Sequence, residues 1–82
     1  MKLYILTMVN GYAELLSLTP FKSESGARAE MRRQYDKEVK QIEENEDTGQ
    51  WEFHNKHAEV INIGCEYSYS WDITEVDTEK LQ

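Results

Sequence analysis

The chain predicts a small α+β domain: an antiparallel sheet with one long helix packed on one face, in the order ββαββ(β). Three observations carry that expectation. An apolar run closes on Asn10-Gly11, a helical stripe begins near Ser23, and a two-residue alternation runs from Ile61 to Thr74. At 82 residues there is no room for a second core, so residues 1–76 form one domain and 77–82 a short flexible tail.

Leu3 to Val9 is rich in β-branched and large apolar residues, and Asn10-Gly11 follows it directly. That dipeptide is the strongest short-range signal for a two-residue hairpin, because both turn positions favour positive φ. Tyr12 to Leu18 is then the returning strand, and Thr19-Pro20 stops it, since proline cannot donate to a ladder. Both faces of this hairpin are apolar, which implies a central position or a cover over the second face. That cover is either the C-terminal tail or a loop, or a partner molecule, so a homodimer through the hairpin is one expectation.

From Ser23 the period becomes helical. Ser23 or Ser25 serves as N-cap, with Glu24 in the first turn where the dipole favours an acid. Ala27, Met31, Tyr35, Val39 and Ile42 form one narrow apolar stripe, and the helix ends near Glu44 to Asp47 with Thr48-Gly49 as its stop signal. Arg28, Arg32, Asp36, Lys40 and Glu44 make a mixed-charge row that reads as a solvated, self-paired face.

Trp51 to His54 alternates as a strand, and Asn55-Lys56-His57 is a turn. Beyond it, Ile61, Ile63, Cys65, Tyr67, Tyr69, Trp71 and Ile73 all fall on odd positions. A two-residue hairpin at Gly64-Cys65 would mix odd and even positions on one face. The unbroken parity therefore predicts either one long strand bent at Gly64 or a turn with an odd number of loop residues. Trp51, Phe53 and this odd row are expected to pack on the helix, leaving an open face of Glu52, His54, Glu66, Ser68, Ser70, Asp72 and Thr74, small, polar and acidic.

Charge is unevenly distributed. Residues 1–40 carry seven Lys or Arg against five acids, a balance of +2, and residues 41–82 carry two against eleven, a balance of −9. The aromatic row around Tyr67, Tyr69 and Trp71 sits in the acidic half, whose field repels a phosphate chain, so direct nucleic-acid binding is disfavoured. His54, His57, Glu59 and Cys65 are the only grouping with metal-ligand residue types. Their spacing is too short and the set too incomplete for a zinc module, so no metal is expected. Cys65, on the inward row by parity, reads as a buried structural thiol. No phosphate loop, nucleophile elbow or metalloprotease motif is present, so neither an enzyme, a catalytic residue nor a cofactor is expected. The lone cysteine forms no internal disulfide, and the apolar N-terminal run is too short for a signal peptide or membrane span. These point to a reducing cytoplasm and to no membrane association.

What remains is the acidic surface. Glu43, Glu44, Glu46, Asp47, Glu52, Glu66 and Asp72 form the expected binding set, directed at a protein partner with a basic surface. The expectation is a non-enzymatic protein-binding module and, more sharply, an acidic nucleic-acid mimic that inhibits its target. In this general character the chain resembles phage-encoded inhibitors of bacterial defence systems, anti-CRISPR proteins among them, although no motif ties it to one family. Two alternatives are a self-associating accessory domain and single-strand binding through the aromatic strand.

Overall fold

The computed structural model describes residues 1–81. Five strands, β1 (Lys2–Asn10), β2 (Leu15–Phe21), β3 (Gly49–Phe53), β4 (His57–Asn62) and β5 (Tyr67–Asp77), form one antiparallel sheet in the order β2-β1-β5-β4-β3. The helix α1 (Glu24–Glu44) lies across one face, and a 3-10 turn (Thr78–Leu81) closes the described chain. The molecule measures 48 × 24 × 16 Å between its outermost Cα positions, thin because only two layers are stacked. Among the described residues no helix is long and apolar enough to cross a membrane.

The helix follows from its sequence. Ser23, in extended backbone at φ −134°, accepts the Gly26 N–H on its hydroxyl at 3.1 Å, which satisfies one orphan donor of the first turn. Ala27, Met31, Tyr35 and Ile42 are buried and Val39 is half-buried, so the stripe faces the sheet. The exposed face is laced by Arg28–Glu24, Arg33–Glu30, Arg32–Asp36 and Lys40–Glu44 pairs. The helix ends at Glu44, within the stretch from Glu44 to Asp47 that the sequence indicates. The Asp47 N–H returns to the Ile42 carbonyl at 3.0 Å and the Glu46 N–H to Glu43 at 3.2 Å, with Glu46 left-handed at φ 54°. That is a Schellman closure with a glutamate where glycine is usual.

The core joins the helix stripe to Leu6 of β1, Ala58 and Val60 of β4, and Trp71 and Ile73 of β5. Trp71 is fully buried. Its indole N–H donates to Gln34 Oε1 at 2.9 Å, Gln34 Nε2 donates to Glu30, and Glu30 receives Arg33 at 2.6 Å. The polar edge of the largest core side chain is thus relayed to the surface by fully paired groups. The Arg33 and Gln34 hydrogen bonds hold the Glu30 carboxyl at about 2.

Several expectations are corrected. The first hairpin does not use a two-residue turn. Gly11 to Glu14 form the loop, Asn10 Oδ1 accepts the N–H of Tyr12 and of Glu14, and Ala13 rather than glycine takes positive φ at 62°. An Asn side chain that caps the loop twice favours this wider turn. Gly11 instead brings the loop close to β5, where a Cβ would lie 2.6 Å from Ser68 Oγ, a contact that rotation of the serine hydroxyl relieves. The strand β2 starts at Leu15 and continues through Pro20 to Phe21, because an edge strand tolerates proline.

The odd row is not one surface. β4 and β5 are separate strands joined by a four-residue turn, Ile63 to Glu66, and Asn62 faces Tyr67, so even positions of β4 share a face with odd positions of β5. Ala58, Val60 and Asn62 point inward, while Ile61 and Ile63 are exposed. The parity continues through the sequence only because the chain changes face within an even-length turn. Cys65 falls in that turn and is exposed. Trp51 lies opposite Val60 on the helix side but at the sheet edge, 38% exposed. The segment expected as a tail starts as the end of β5 and turns back, the Thr78 N–H and hydroxyl both donating to the Met1 carbonyl at 2.9 Å. Gln82 lies outside the described residues.

Candidate functional site

Strand direction gathers three connections at one end of the long axis. They are the β1–β2 loop, the segment from the last helical turn to β3, and the β4–β5 turn. Backbone bonds tie the last two together, Ile63 N–H to Thr48 O at 2.8 Å and Gly64 N–H to Thr48 O at 3.3 Å. Asn62, 1% exposed, completes the tie: its Nδ2 donates to Asp47 at 3.0 Å and its Oδ1 accepts the Cys65 N–H at 3.0 Å. The first loop joins through Asn10, opposite Tyr69, and through the close approach of Gly11 to Ser68.

Residues 11–14, 41–48 and 63–66 contribute Glu14, Glu43, Glu44, Glu46, Asp47 and Glu66 to this end and not one lysine or arginine. The helix C-terminus adds the negative end of its dipole, with no basic residue in the last turn to offset it. At the opposite end Lys2, Lys22, Arg28 and Lys56 are matched by Glu24, Glu75, Asp77 and Glu79, with Lys2–Glu75 and Arg28–Glu24 paired, so the uncompensated charge is the negative charge of the first end. The molecule is therefore polarised along its length.

Among the carboxylates an apolar groove of about 640 Å³ opens on the uncovered side of the sheet, lined by Tyr12 and Leu16 from one hairpin and Ile61 and Ile63 from the other. Among the described residues Glu66 is the one charged residue in its wall. Tyr12 is 85% exposed and Ile63 50%, so the groove is apolar surface in contact with water. It continues into an open face that is not uniformly polar. Leu3, Ile5 and Val9 of β1 share it with Leu15 and Leu18 of β2, next to Ser70, Asp72 and Thr74 of β5.

The seven acids expected from the sequence divide. Glu43, Glu44, Glu46, Asp47 and Glu66 meet at the polarised end. Asp47 is also structural, held by Asn62 and contacted by Cys65 Sγ at 3.6 Å, and partial desolvation followed by the Asp47 charge pushes the Cys65 thiol up from its ordinary value. Glu52 and Asp72 lie elsewhere, on the open face of β3 and β5. There each meets a histidine: His54 Nε2 is 3.2 Å from Glu52, His57 Nδ1 is 2.8 Å from Asp72, and the two imidazoles stack at 6.5 Å. These two carboxylates are internally partnered, whereas the side chains of Glu43, Glu46 and Glu66 meet no cation among the described residues.

Tyr12, Leu16, Ile61 and Ile63 escape the sequence reading of the site. The adjacent Leu15-Leu16 pair hints at a second apolar surface, whereas Ile61 and Ile63 are concealed by the false continuity of the odd row. By register the aromatic row lies on the helix side of the sheet, with Tyr67 and Tyr69 half-buried and Trp71 enclosed, and Tyr67 and Tyr69 also contribute to the wall of the groove.

Backbone geometry marks the same end. Among the described residues the non-glycine positions with positive φ are Ala13 (62°), Glu46 (54°) and Glu66 (56°), one in each of the three connections. A left-handed conformation costs a side-chain-bearing residue roughly 1–2 kcal/mol. Comparison of the chain with family models, with curated proteins and with solved structures finds no match.

Proposed function

We propose that the protein is a non-enzymatic protein-binding module that docks its acidic end onto a basic surface of a target protein, occupying a place that nucleic acid would otherwise take. The observation that carries this reading is the apolar groove of Tyr12, Leu16, Ile61 and Ile63 set among six carboxylates with no basic residue in the same connections. Exposed apolar surface rimmed by charge has the anatomy of a protein interface, in which desolvated side chains supply affinity and the rim supplies steering and orientation. Glutamates stand at the left-handed positions 46 and 66, where local structure alone favours glycine, and this supports it as well.

A cationic, partly apolar surface satisfies both halves of the site at once. The carboxylates replace phosphates in the basic cleft while the groove takes an apolar side chain beside it, which a nucleic-acid backbone does not provide. This distinguishes the module from a purely electrostatic mimic: salt weakens its binding without abolishing it.

The test is capture of the partner from the native host at low salt, followed by two variants. Glu43→Gln, Glu46→Gln and Glu66→Gln combined should slow association and flatten the salt dependence, whereas Ile63→Ser should speed dissociation at every salt concentration. An oligonucleotide bound by the captured partner should compete with the module. If the triple variant captures the same partner with unchanged salt dependence, the acidic end is not the site.

A further inference from the structure

The groove between the β1–β2 loop and the β4–β5 turn carries two chemistries in one wall. Leu16, Ile61 and Ile63 make it aliphatic, Tyr12 adds a ring that is 85% exposed, and Glu66 sets one carboxylate beside them. The ring and the carboxylate flank the same junction. Gly11, next to Tyr12, comes close enough for a Cβ to lie 2.6 Å from Ser68 Oγ, and Ser68 stands just beyond Glu66 in the chain. Among the described residues the wall holds no lysine or arginine to neutralise Glu66. At about 640 Å³ the space is several times the ~150 Å³ that accepts a benzene ring, so it has room for more than one side chain.

These features restrict the occupant. A wholly apolar group would strip water from the Glu66 carboxylate and return nothing to it, while a small hydrated cation would leave Leu16, Ile61 and Ile63 wet. Glu14, Glu43, Glu46 and Asp47 on the same connections repel an anion. An arginine side chain meets all three conditions. Its methylene stem can lie on the aliphatic wall, its planar guanidinium on the Tyr12 ring, and its forked N–H groups on both oxygens of Glu66. Lysine offers a stem of similar length, but its ammonium is more strongly hydrated and has no plane to stack.

We propose that the groove is a recognition site for an arginine of the target protein, held at Glu66 and Tyr12, with a large apolar residue next to that arginine filling the rest of the aliphatic wall. The inference rests on the reading of this end as a protein-binding site and deepens it, because it names the motif that the target presents. Steering by the surrounding carboxylates acts on any basic surface, whereas this contact selects among them. A cleft lined by lysines alone would attract the module without filling its groove.

Titration of the isotope-labelled chain with the capped tripeptide acetyl-Leu-Arg-Leu-amide, followed through the backbone amide signals of the protein, tests the site without the target. The signals of Tyr12, Ile63, Glu66 and Ser68 should move together. The same peptide with citrulline in place of arginine keeps the shape and the N–H donors but lacks the charge, and should bind about fivefold more weakly. In Glu66→Gln the two peptides should bind alike. Glu59→Gln removes a carboxylate on the open face away from the groove, opposite Ser70 and Glu52, and should preserve the fivefold difference. Circular dichroism of both variants controls for folding. Equal affinity of the two peptides for the wild type overturns the proposal, as does a difference that survives in Glu66→Gln. An arginine peptide that moves none of the four signals up to its solubility limit overturns it too. Such failures leave salt-dependent capture of a basic target intact, so the acidic end would stand without this contact. Loss of that capture with the peptide still seated would instead remove the nucleic-acid-mimic reading and keep the groove.

Discussion

Asn62 is the one buried polar side chain among the described core residues, and its removal has a calculable effect. Asn62→Ala deletes the donor to the Asp47 carboxylate at 3.0 Å and the acceptor of the Cys65 N–H at 3.0 Å. A partly buried hydrogen bond to a charged acceptor is worth about 1.5–3 kcal/mol and a neutral one about 1, and the backbone N–H loses its only side-chain acceptor. The expected loss is about 3 kcal/mol, which for a domain this small lowers Tm by roughly 10–20 °C. Urea unfolding followed by tryptophan fluorescence reads it, because Trp71 is enclosed in the native state. Asn62→Asp supplies a signature that a cavity cannot. It keeps the acceptor for Cys65 but opposes two carboxylates, which raises the folded-state pKa of the pair above its unfolded value. Stability contributed by the shared proton is present at low pH and lost as pH rises, so the deficit of this variant against the wild type should widen from about pH 4 to pH 7. An Asn62→Ala loss under about 1 kcal/mol, or an Asn62→Asp deficit independent of pH, would refute the role given to this clamp.

Four further outcomes are expected. Glu46→Gly should stabilise the fold by up to about 1 kcal/mol in thermal unfolding, since relief of the left-handed strain exceeds the added unfolded-state entropy. Gly49→Ala should destabilise by about 1–3 kcal/mol, because its Cβ would stand 2.9 Å from the Ile61 carbonyl oxygen and 3.2 Å from two carbons of Ile42. Glu30 is held at about 2, below its ordinary 4.5, so its contribution is present above 4.5 and lost as pH falls toward 2; Glu30→Gln should flatten that part of the acid-unfolding curve. Cys65 is exposed but its thiol is pushed up, so alkylation should be slow at neutral pH and faster in Asp47→Asn, as followed by mass spectrometry.

The helix was legible almost to the residue, because its cap and stripe are local signals and Ser23, Ala27, Met31 and Tyr35 need no partner to be recognised. Trp71 and Ile73 were assigned to the core correctly for a related reason, since alternation within one strand is local too. The failures lie where the chain turns. Asn10-Gly11 has the composition of a tight hairpin, yet the Asn10 side chain caps a wider loop. Ile61 and Ile63 match the parity of Trp71 although they lie on the opposite face, and only the length of the connecting turn decides between the two. Of the candidate site, five of seven acids converge because the helix C-terminus and the β4–β5 turn meet at Asn62. That contact spans 15 residues and has no sequence signature. Glu52 and Asp72 were separated from them by the same geometry.

The last of the five strands in chain order, β5, occupies the middle of the sheet, between β1 and β4, so the order of synthesis and the order of assembly conflict. Leu6 pairs with Ile73 and Met8 with Trp71, contacts more than sixty residues apart, and neither half of the core closes until β5 is available. Until then the β1–β2 hairpin, apolar on both faces and ending in an uncharged edge, waits without its neighbour. Loop closure of that span precedes any reward from burial, which makes insertion of β5 the slow step of folding and leaves the nascent hairpin as the segment most in need of protection from aggregation.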